Sequence, residues 1–430
     1  MIDRSAFRRQ HEVLEVALSR RSAELVAEGS PWQQAALLDR RQREYKKHLE
    51  TLQAERNRVS KSIGTKRRAG DSVDEELAVM AQVAERIKQI ESDAKEAEAA
   101  FAAVLLEIPN PLHNSVPDGR DETDNLVLRS WGRPREDSVP NHWDIGGEWL
   151  DFEAGALLAG SRFSVLRGPL ARLERALMQF MLDLHVDRHG YEEVWVPAVA
   201  NRETMTGTGQ LPKFEDDLYR LADEEYFLIP TAEVPVTNLY RGQIIDTARL
   251  PIRHCAYTPC FRREAGAAGR DMRGLIRQHQ FDKVELVQLV HPDECEQRLL
   301  ELTAHAEAVL QLLELPYRVV ELCAGDVGFS AEKTVDLEVW LPGQGCYREI
   351  SSCSSFGQFQ GRRAAIRFRD GAKGKPQAVA TINGSGLAIG RTLVALLESG
   401  WQGDGSVRLP AALHPYMGGM AVIPAACSEA

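Results

Sequence analysis

With 430 residues, 43% of them hydrophobic and 27% charged, the chain is long enough for two or three domains around a large buried core. No run of about eighteen apolar residues offers a membrane span, and the opening MIDRSAFRRQHEVLEV has acidic residues and no continuous apolar stretch, so neither secretion nor organelle import is indicated and a cytoplasmic protein is expected. A net charge of −11 excludes an overall basic nucleic-acid binder, so any RNA contact must come from a local basic patch.

The first hundred residues are rich in Ala, Glu, Lys, Arg and Gln, and Pro31 is the only proline before Pro109. Leu38, Tyr45, Leu52 and Val59 recur every seven residues; Met80, Val83, Ile87, Ile90, Ala94, Ala97, Phe101 and Val104 alternate three and four apart. This is a sustained coiled-coil seam. Gly64, Gly70 and Asp71 lie between the two halves as breakers and cap, which predicts two antiparallel helices, each roughly 35 residues and about 50 Å long. Arg40 to Arg68 carries eleven Lys or Arg against three Glu, whereas Asp71 to Glu98 carries three basic residues against nine acidic. Such asymmetry is usually a solvated face. The gathering of Arg56, Arg58, Lys61, Lys66, Arg67 and Arg68 near the expected tip favours a phosphate-binding stripe.

The sequence predicts a helical arm over 1–108, a Pro- and Asp-rich linker over 109–140, and a second domain over 141–430. In the last, Leu170–Val186, Glu294–Leu313 and Leu387–Leu397 read as helices. Tyr191–Val196, Tyr226–Ile229, Ala256–Phe261, Val284–Val290, Tyr317–Leu322, Thr334–Trp340, Ala365–Arg369 and Gln377–Ile382 read as strands. Strands in succession, without regular βαβ alternation, predict an α+β body with a mostly antiparallel sheet flanked by helices. No GxGxxG or GxxxxGK[ST] occurs, so a nucleotide would be held differently. Seven cysteines (Cys255, Cys260, Cys295, Cys323, Cys346, Cys353, Cys427) without a CxxC pair read as reduced thiols, and no zinc is expected.

TPCFRRE (Thr258–Glu264) followed by AGAAGRDMRGLIRQHQFDKVE to Glu285 resembles motif 2 of the class II aminoacyl-tRNA synthetases in its seryl form. NGSGLAIGR (Asn383–Arg391) resembles motif 3, and the helix and strand ending at Pro197 resemble motif 1. GTGQLPKFEDDLY (Gly207–Tyr219), TAEVPVTNLY (Thr231–Tyr240) and YREISSCS (Tyr347–Ser354) are similar to segments of seryl-tRNA synthetases, so the likeness spans nearly the whole chain. It implies a serine–tRNA ligase that forms seryl-adenylate from L-serine and ATP with Mg²⁺ and loads tRNA(Ser), with the selenocysteine tRNA as a further substrate. It also implies a homodimer built through motif 1, in which the arm of one subunit reaches tRNA at the other's site.

The residues suit that chemistry. Joining a carboxylate to an α-phosphate brings two anions together, and fixed cations must neutralise the charge that develops. Arg262, Glu349 and Arg391 are the implied catalytic group: Arg262 bridges carboxylate and α-phosphate, Arg391 meets the γ-phosphate, and Glu349 with Ser352 offers oxygen ligands to Mg²⁺. The implied ATP site adds Arg263, Glu264, Gln278, His279, Gln280, Phe281, Ile350 and Ser351, with Glu264 on the adenine amino group and Phe281 stacked on the ring. Thr231 and Glu233 are implied for the serine ammonium and Glu285 for its hydroxyl, with Thr381 and Ser385 lining the pocket. A site built to hydrogen-bond a hydroxyl can reject alanine by about 10⁴-fold or more. Arg270 and Arg273 join the arm residues as implied tRNA contacts.

Ala267, Met272, Ser355, Gln358, Gly361 and Ala380 depart from the usual residues of these segments. They leave open a specialised copy serving resistance or a biosynthetic pathway. Two other readings stand beside it: a ligase that loads a carrier protein, which would lack the arm, and a non-catalytic tRNA-binding module, which would not need Arg262, Glu264, Glu285, Glu349 and Arg391.

Overall fold

The computed structural model describes residues 1–265 and 273–426. Its contacts divide the chain into two compact units: Ser22–Pro109, and Met1–Arg21 together with the chain from Asn110 onward.

The first unit is built on helices α1 (Pro31–Ala69) and α2 (Asp74–Glu107), which pack along their length. Ser30 caps α1 by accepting a hydrogen bond from the Gln33 amide (3.4 Å), and Pro31 sits in the first turn, where its missing N–H costs nothing. Gly70 ends α1 at φ +81°, a conformation that an L side chain resists. Three acidic residues, Asp74, Glu75 and Glu76, then open α2 at its positive dipole end. Leu52 packs with Val83 and Ile87, flanked by Leu49 and Ile90; Val59, Ala97, Phe101 and Leu105 are also buried. The seam is narrower than the sequence pattern: Leu38, Tyr45, Met80, Ala94 and Val104 are only partly covered.

The second unit carries an eight-stranded sheet. In chain order its strands are β1 (Leu126–Trp131), β2 (Glu192–Glu193), β3 (Ile252–Phe261), β4 (Gln280–Val290), β5 (Tyr317–Glu321), β6 (Lys333–Leu341), β7 (Cys346–Ser355) and β8 (Ala380–Ala388). Their spatial order is β1-β5-β6-β7-β8-β4-β3-β2, antiparallel throughout except for the β2/β3 pair. Residues 109–140, expected as a linker, therefore include an edge strand of this sheet. That strand is exposed at every position, so no burial pattern announces it. Tyr191–Val196 forms strand only at Glu192–Glu193, and β7 is a strand the apolar pattern does not show.

Three helices cover one face: α3 (Gly168–Asp187), α4 (Cys295–Leu312) and α6 (Ile389–Gly400), the last following the short α5 (Phe359–Arg363). Leu173, Leu177 and Met181 of α3, Leu302 and Val309 of α4, and Leu393 and Leu397 of α6 are buried against Val284, Leu286 and Val290 of β4. Along β4 the period of two puts Val287 and Leu289 into a smaller core with Ala232, Ile245 and Phe368. Phe281, Lys283 and Glu285 continue that same row, and they line a cavity instead.

Candidate active site

The cavity, of about 440 Å³, lies on the sheet face opposite α3, α4 and α6. Irregular pairing marks its walls. The β6/β7 register slips between Leu337 and Glu338, opposite Glu349–Ser351, and the β8/β4 register slips between Ser385 and Ala388. Such bulges re-aim side chains, here those of Glu349 and Ser385.

One end of the cavity is cationic. Arg262 follows β3 directly; its guanidinium lies 5.2 Å from the Phe281 ring centroid and donates to the Pro230 carbonyl (3.3 Å). The Arg262 amide bonds the His279 carbonyl (2.9 Å), closing the hairpin at its base. Glu264 sits at φ +50°, strained for a non-glycine residue, and pairs with Arg277 at 2.5 Å. Arg391 enters from the first turn of α6, donating to the Glu349 carbonyl (2.6 Å) and the Ile276 carbonyl (3.4 Å), with the Glu349 carboxylate 3.6 Å away.

The other end is a small polar pocket. Thr231 donates to Glu285 (2.9 Å), Lys283 donates to the Thr231 hydroxyl (3.0 Å), and Lys283 is ion-paired with Glu285. Glu233 opens the short helix Glu233–Asn238. Burial, and then the neighbouring Glu285 charge, push its carboxyl above the usual carboxylate range, against the pull of Gln360, Lys283 and Asn383. With Glu233 and Glu285 both ionised, two carboxylates and one ammonium leave this pocket one negative charge in excess.

Of the residues expected at the site, Thr231, Glu233, Arg262, Glu264, Gln278, Phe281, Glu285, Glu349, Ile350, Ser352, Ser385 and Arg391 line the one cavity. The others do not. Arg263 is exposed and its amide bonds the Asp217 carbonyl; His279 and Gln280 shape the hairpin from outside. The Ser351 hydroxyl turns away to the Ser385 carbonyl (2.6 Å), and Thr381 is buried behind the pocket against Gln360 (2.6 Å). Ser351 lies on the strand face opposite that of Ser352 and Ser354, whereas Thr381 shares the face of Asn383 and Ser385 but sits beyond the end of the cavity. Lys283, Arg277 and Asn383 line the cavity without having been expected. The alternation Phe281, Lys283, Glu285 was the available signal for Lys283.

On the arm, Arg56, Arg58, Lys61, Arg67 and Arg68 are exposed, whereas Lys66 is tied to Glu76 at 2.5 Å and is less available to a phosphate than expected. Arg273 lies over the Trp143 ring (5.3 Å). Arg270, Ala267, Met272 and Cys427 fall outside the described residues. Ser355 bonds Glu332 (2.8 Å) and Gln358 bonds the Ala378 carbonyl (2.7 Å), both away from the cavity; Ala380 is buried.

Two family models match the chain: the seryl-tRNA synthetase N-terminal domain over residues 1–112, and the class II tRNA synthetase core domain (G, H, P, S and T) over residues 213–400. The chain is 56% identical to the serine–tRNA ligase of Acidithiobacillus ferrooxidans over 431 residues, 99% of this chain and 100% of that one. It is 57% identical to that of Pelobacter propionicus over 387 residues, 89% of this chain and 92% of that one. Among solved structures, the seryl-tRNA synthetase from Pyrococcus horikoshii complexed with ATP superposes with a TM-score of 0.94 at 35% identity, covering 99% of this chain and 100% of that one. With sequence, architecture and cavity all in agreement, the chain belongs to the seryl-tRNA synthetase family.

Proposed function

We propose that the cavity forms seryl-adenylate from L-serine and ATP and passes the seryl group to tRNA(Ser), with the selenocysteine tRNA as a second acceptor. The observation that carries this reading is that Arg262, the Thr231–Glu233–Glu285 pocket and the Arg391–Glu349 pair line one cavity. The pocket's single excess negative charge suits one ammonium. Glu285 already accepts from Thr231 and Lys283 through one oxygen, which leaves the other for a hydroxyl.

In the first step a serine carboxylate oxygen attacks the α-phosphorus, the bond to the bridging oxygen breaks, and pyrophosphate leaves. Arg262 meets the charge that develops, and Phe281 and Glu264 hold the base. In the second a terminal ribose hydroxyl of the tRNA attacks the seryl carbonyl, and AMP leaves. Glu349 and Ser352 would hold Mg²⁺, which supplies charge neutralisation on the phosphates. The donor set fits a hard cation bound chiefly through its substrate: among the described residues no group of three or more His, Cys, Asp or Glu forms a cage.

The Ser22–Pro109 unit serves as the tRNA-binding arm, its exposed basic residues reading shape and backbone. A carrier-protein ligase would have no use for it. A homodimer through the segment ending at Pro197 is supported by Trp195, 88% exposed beside motif 1. Free thiols at all six described cysteines suit the cytoplasm. The direct test is pyrophosphate exchange and tRNA charging with each amino acid in turn. Exchange that depends on serine and Mg²⁺ is expected; dependence on another amino acid would overturn the assignment.

A further inference from the structure

Behind the ammonium end of the cavity lies a buried amide that no part of the adenylation chemistry uses. Gln360, on α5, is fully buried and does not line the cavity. Its Nε2 donates to Glu233 Oε1 (2.7 Å) and to the Thr208 carbonyl (3.2 Å), and its Oε1 accepts from the Thr381 hydroxyl (2.6 Å). Two acceptors on one side and a hydroxyl on the other fix which way the amide faces, and a carboxylate at this place could not serve both. The approach of α5 to the strand that carries Thr381 leaves no room for a side chain at Gly361 in this backbone. A Cβ there would stand 2.2 Å from the Val379 carbonyl oxygen.

We infer that Gln360 is a positioning residue for amino-acid recognition, fixing the Glu233 carboxylate as the acceptor of the substrate ammonium. This rests on the reading of the cavity as a serine site. The groups facing Glu233 are Glu285 and Lys283 from β4, Asn383 from β8, and Gln360 from α5. Lys283 is committed to Glu285 and Thr231, so among the described residues no cation is ion-paired with Glu233, and Lys283 acts on it only through its field. Burial and Glu285 both favour its protonated form, and Gln360 is first among the groups that oppose them. Without the amide donor, Glu233 would take up its proton at higher pH, and the ammonium would lose its acceptor there.

The test is serine-dependent pyrophosphate exchange by the full chain as a function of pH. Gln360→Leu is expected to raise the serine KM roughly 10- to 100-fold, the effect of one hydrogen bond to a charged group, with the ATP KM unchanged. The acid limb of kcat/KM for serine should move to higher pH, further for Gln360→Glu. Thr381→Val, near-isosteric, should move it in the same direction by less, and it reads the same network if Gln360→Leu does not fold. An unmoved acid limb in Gln360→Leu, or in Thr381→Val where that variant stands in, or serine and ATP KM rising together, would overturn the inference. Glu233→Gln separates the two levels: if it leaves the serine KM unchanged, the cavity reading itself falls. If it raises the serine KM while Gln360→Leu moves nothing, only the role of Gln360 falls.

Discussion

The arm and the body are held together in opposite ways. The arm has one narrow seam, Leu52 against Val83 and Ile87, with polar surface almost everywhere else. The body has a core spanning three helices and a sheet, and it encloses polar and charged groups: the Glu398 carboxyl is fully enclosed with a hydrogen bond from His142 at 3.0 Å, and the Lys283–Glu285 ion pair is nearly so. Exposed charges in water interact weakly and are screened by salt, whereas desolvated ones act strongly and only on what fits between them. The arm is therefore suited to grip a polyanion by many small, additive contacts, and the body to bring about a reaction with a few large ones.

Removing the arm should separate these regimes most sharply. Replacing Ser22–Pro109 by a short Gly/Ser bridge is expected to leave serine-dependent exchange within about twofold while tRNA charging falls below detection, because transition-state contacts reside in the cavity. Charging retained by the shortened protein would make the arm merely structural. On the full arm, reversing Arg56, Arg58, Lys61, Arg67 and Arg68 should weaken tRNA binding and flatten its salt dependence by about one unit of counterion release per lost contact. Within the body a single change should rival that loss. Arg262→Ala is expected to reduce exchange by about 10³-fold with the thermal transition unchanged, since the charge it meets develops during reaction. Near-normal exchange by a folded Arg262→Ala protein would remove Arg262 from the chemistry.

The smallest effect expected is on stability. Burial lowers His185 to about 3, and His305, stacked on His189, to about 4. Both are neutral in the folded body and bind protons more readily once unfolded. Their contribution is thus complete above the unfolded value of about 6.5 and is lost as pH falls towards 4 and 3, at up to about 1.4 kcal/mol per pH unit for the enclosed His185 and less for the partly exposed, solvent-screened His305. Denaturant melts between neutral pH and pH ~4 measure this, and His185→Gln should flatten the slope. An unchanged slope would mean that other groups govern acid unfolding.

The same contrast explains what the sequence reveals. A seam of period 3.5 is local, so the arm is legible from Leu52, Val83 and Ile87 alone. The central strand β8 is legible only at its start, Ala380–Ile382, because Asn383, Gly384, Ser385 and Gly386 have the composition of a turn. The glycines are there for close approach: a Cβ at Gly384 would meet Leu302 at 2.6 Å, and one at Gly386 would meet His185 at 2.7 Å. Most of the cavity wall was readable from the motifs, since Arg262 just after a strand end, Glu349 inside a strand and Arg391 at a helix start all lie in segments that the resemblance covers. Gln360 was not, because its partners Thr208, Glu233 and Thr381 are scattered along the chain and only the fold brings them together.

One junction has a consequence for how the molecule is made. The Arg21 guanidinium, buried enough that its pKa falls to about 10, donates to the carbonyls of Asn110 (2.7 Å), Val327 (2.7 Å) and Ala331. The last two partners are more than three hundred residues further along the chain. During synthesis from the N-terminus the contacts within the hairpin are available as soon as Pro109 has emerged, whereas Met1–Arg21 must wait until Ala331 has left the ribosome. Met1–Arg21 is thus made long before its partners and is among the last parts to find its place, and a nascent chain stalled before that point would carry a formed arm beside an unanchored Met1–Arg21 segment.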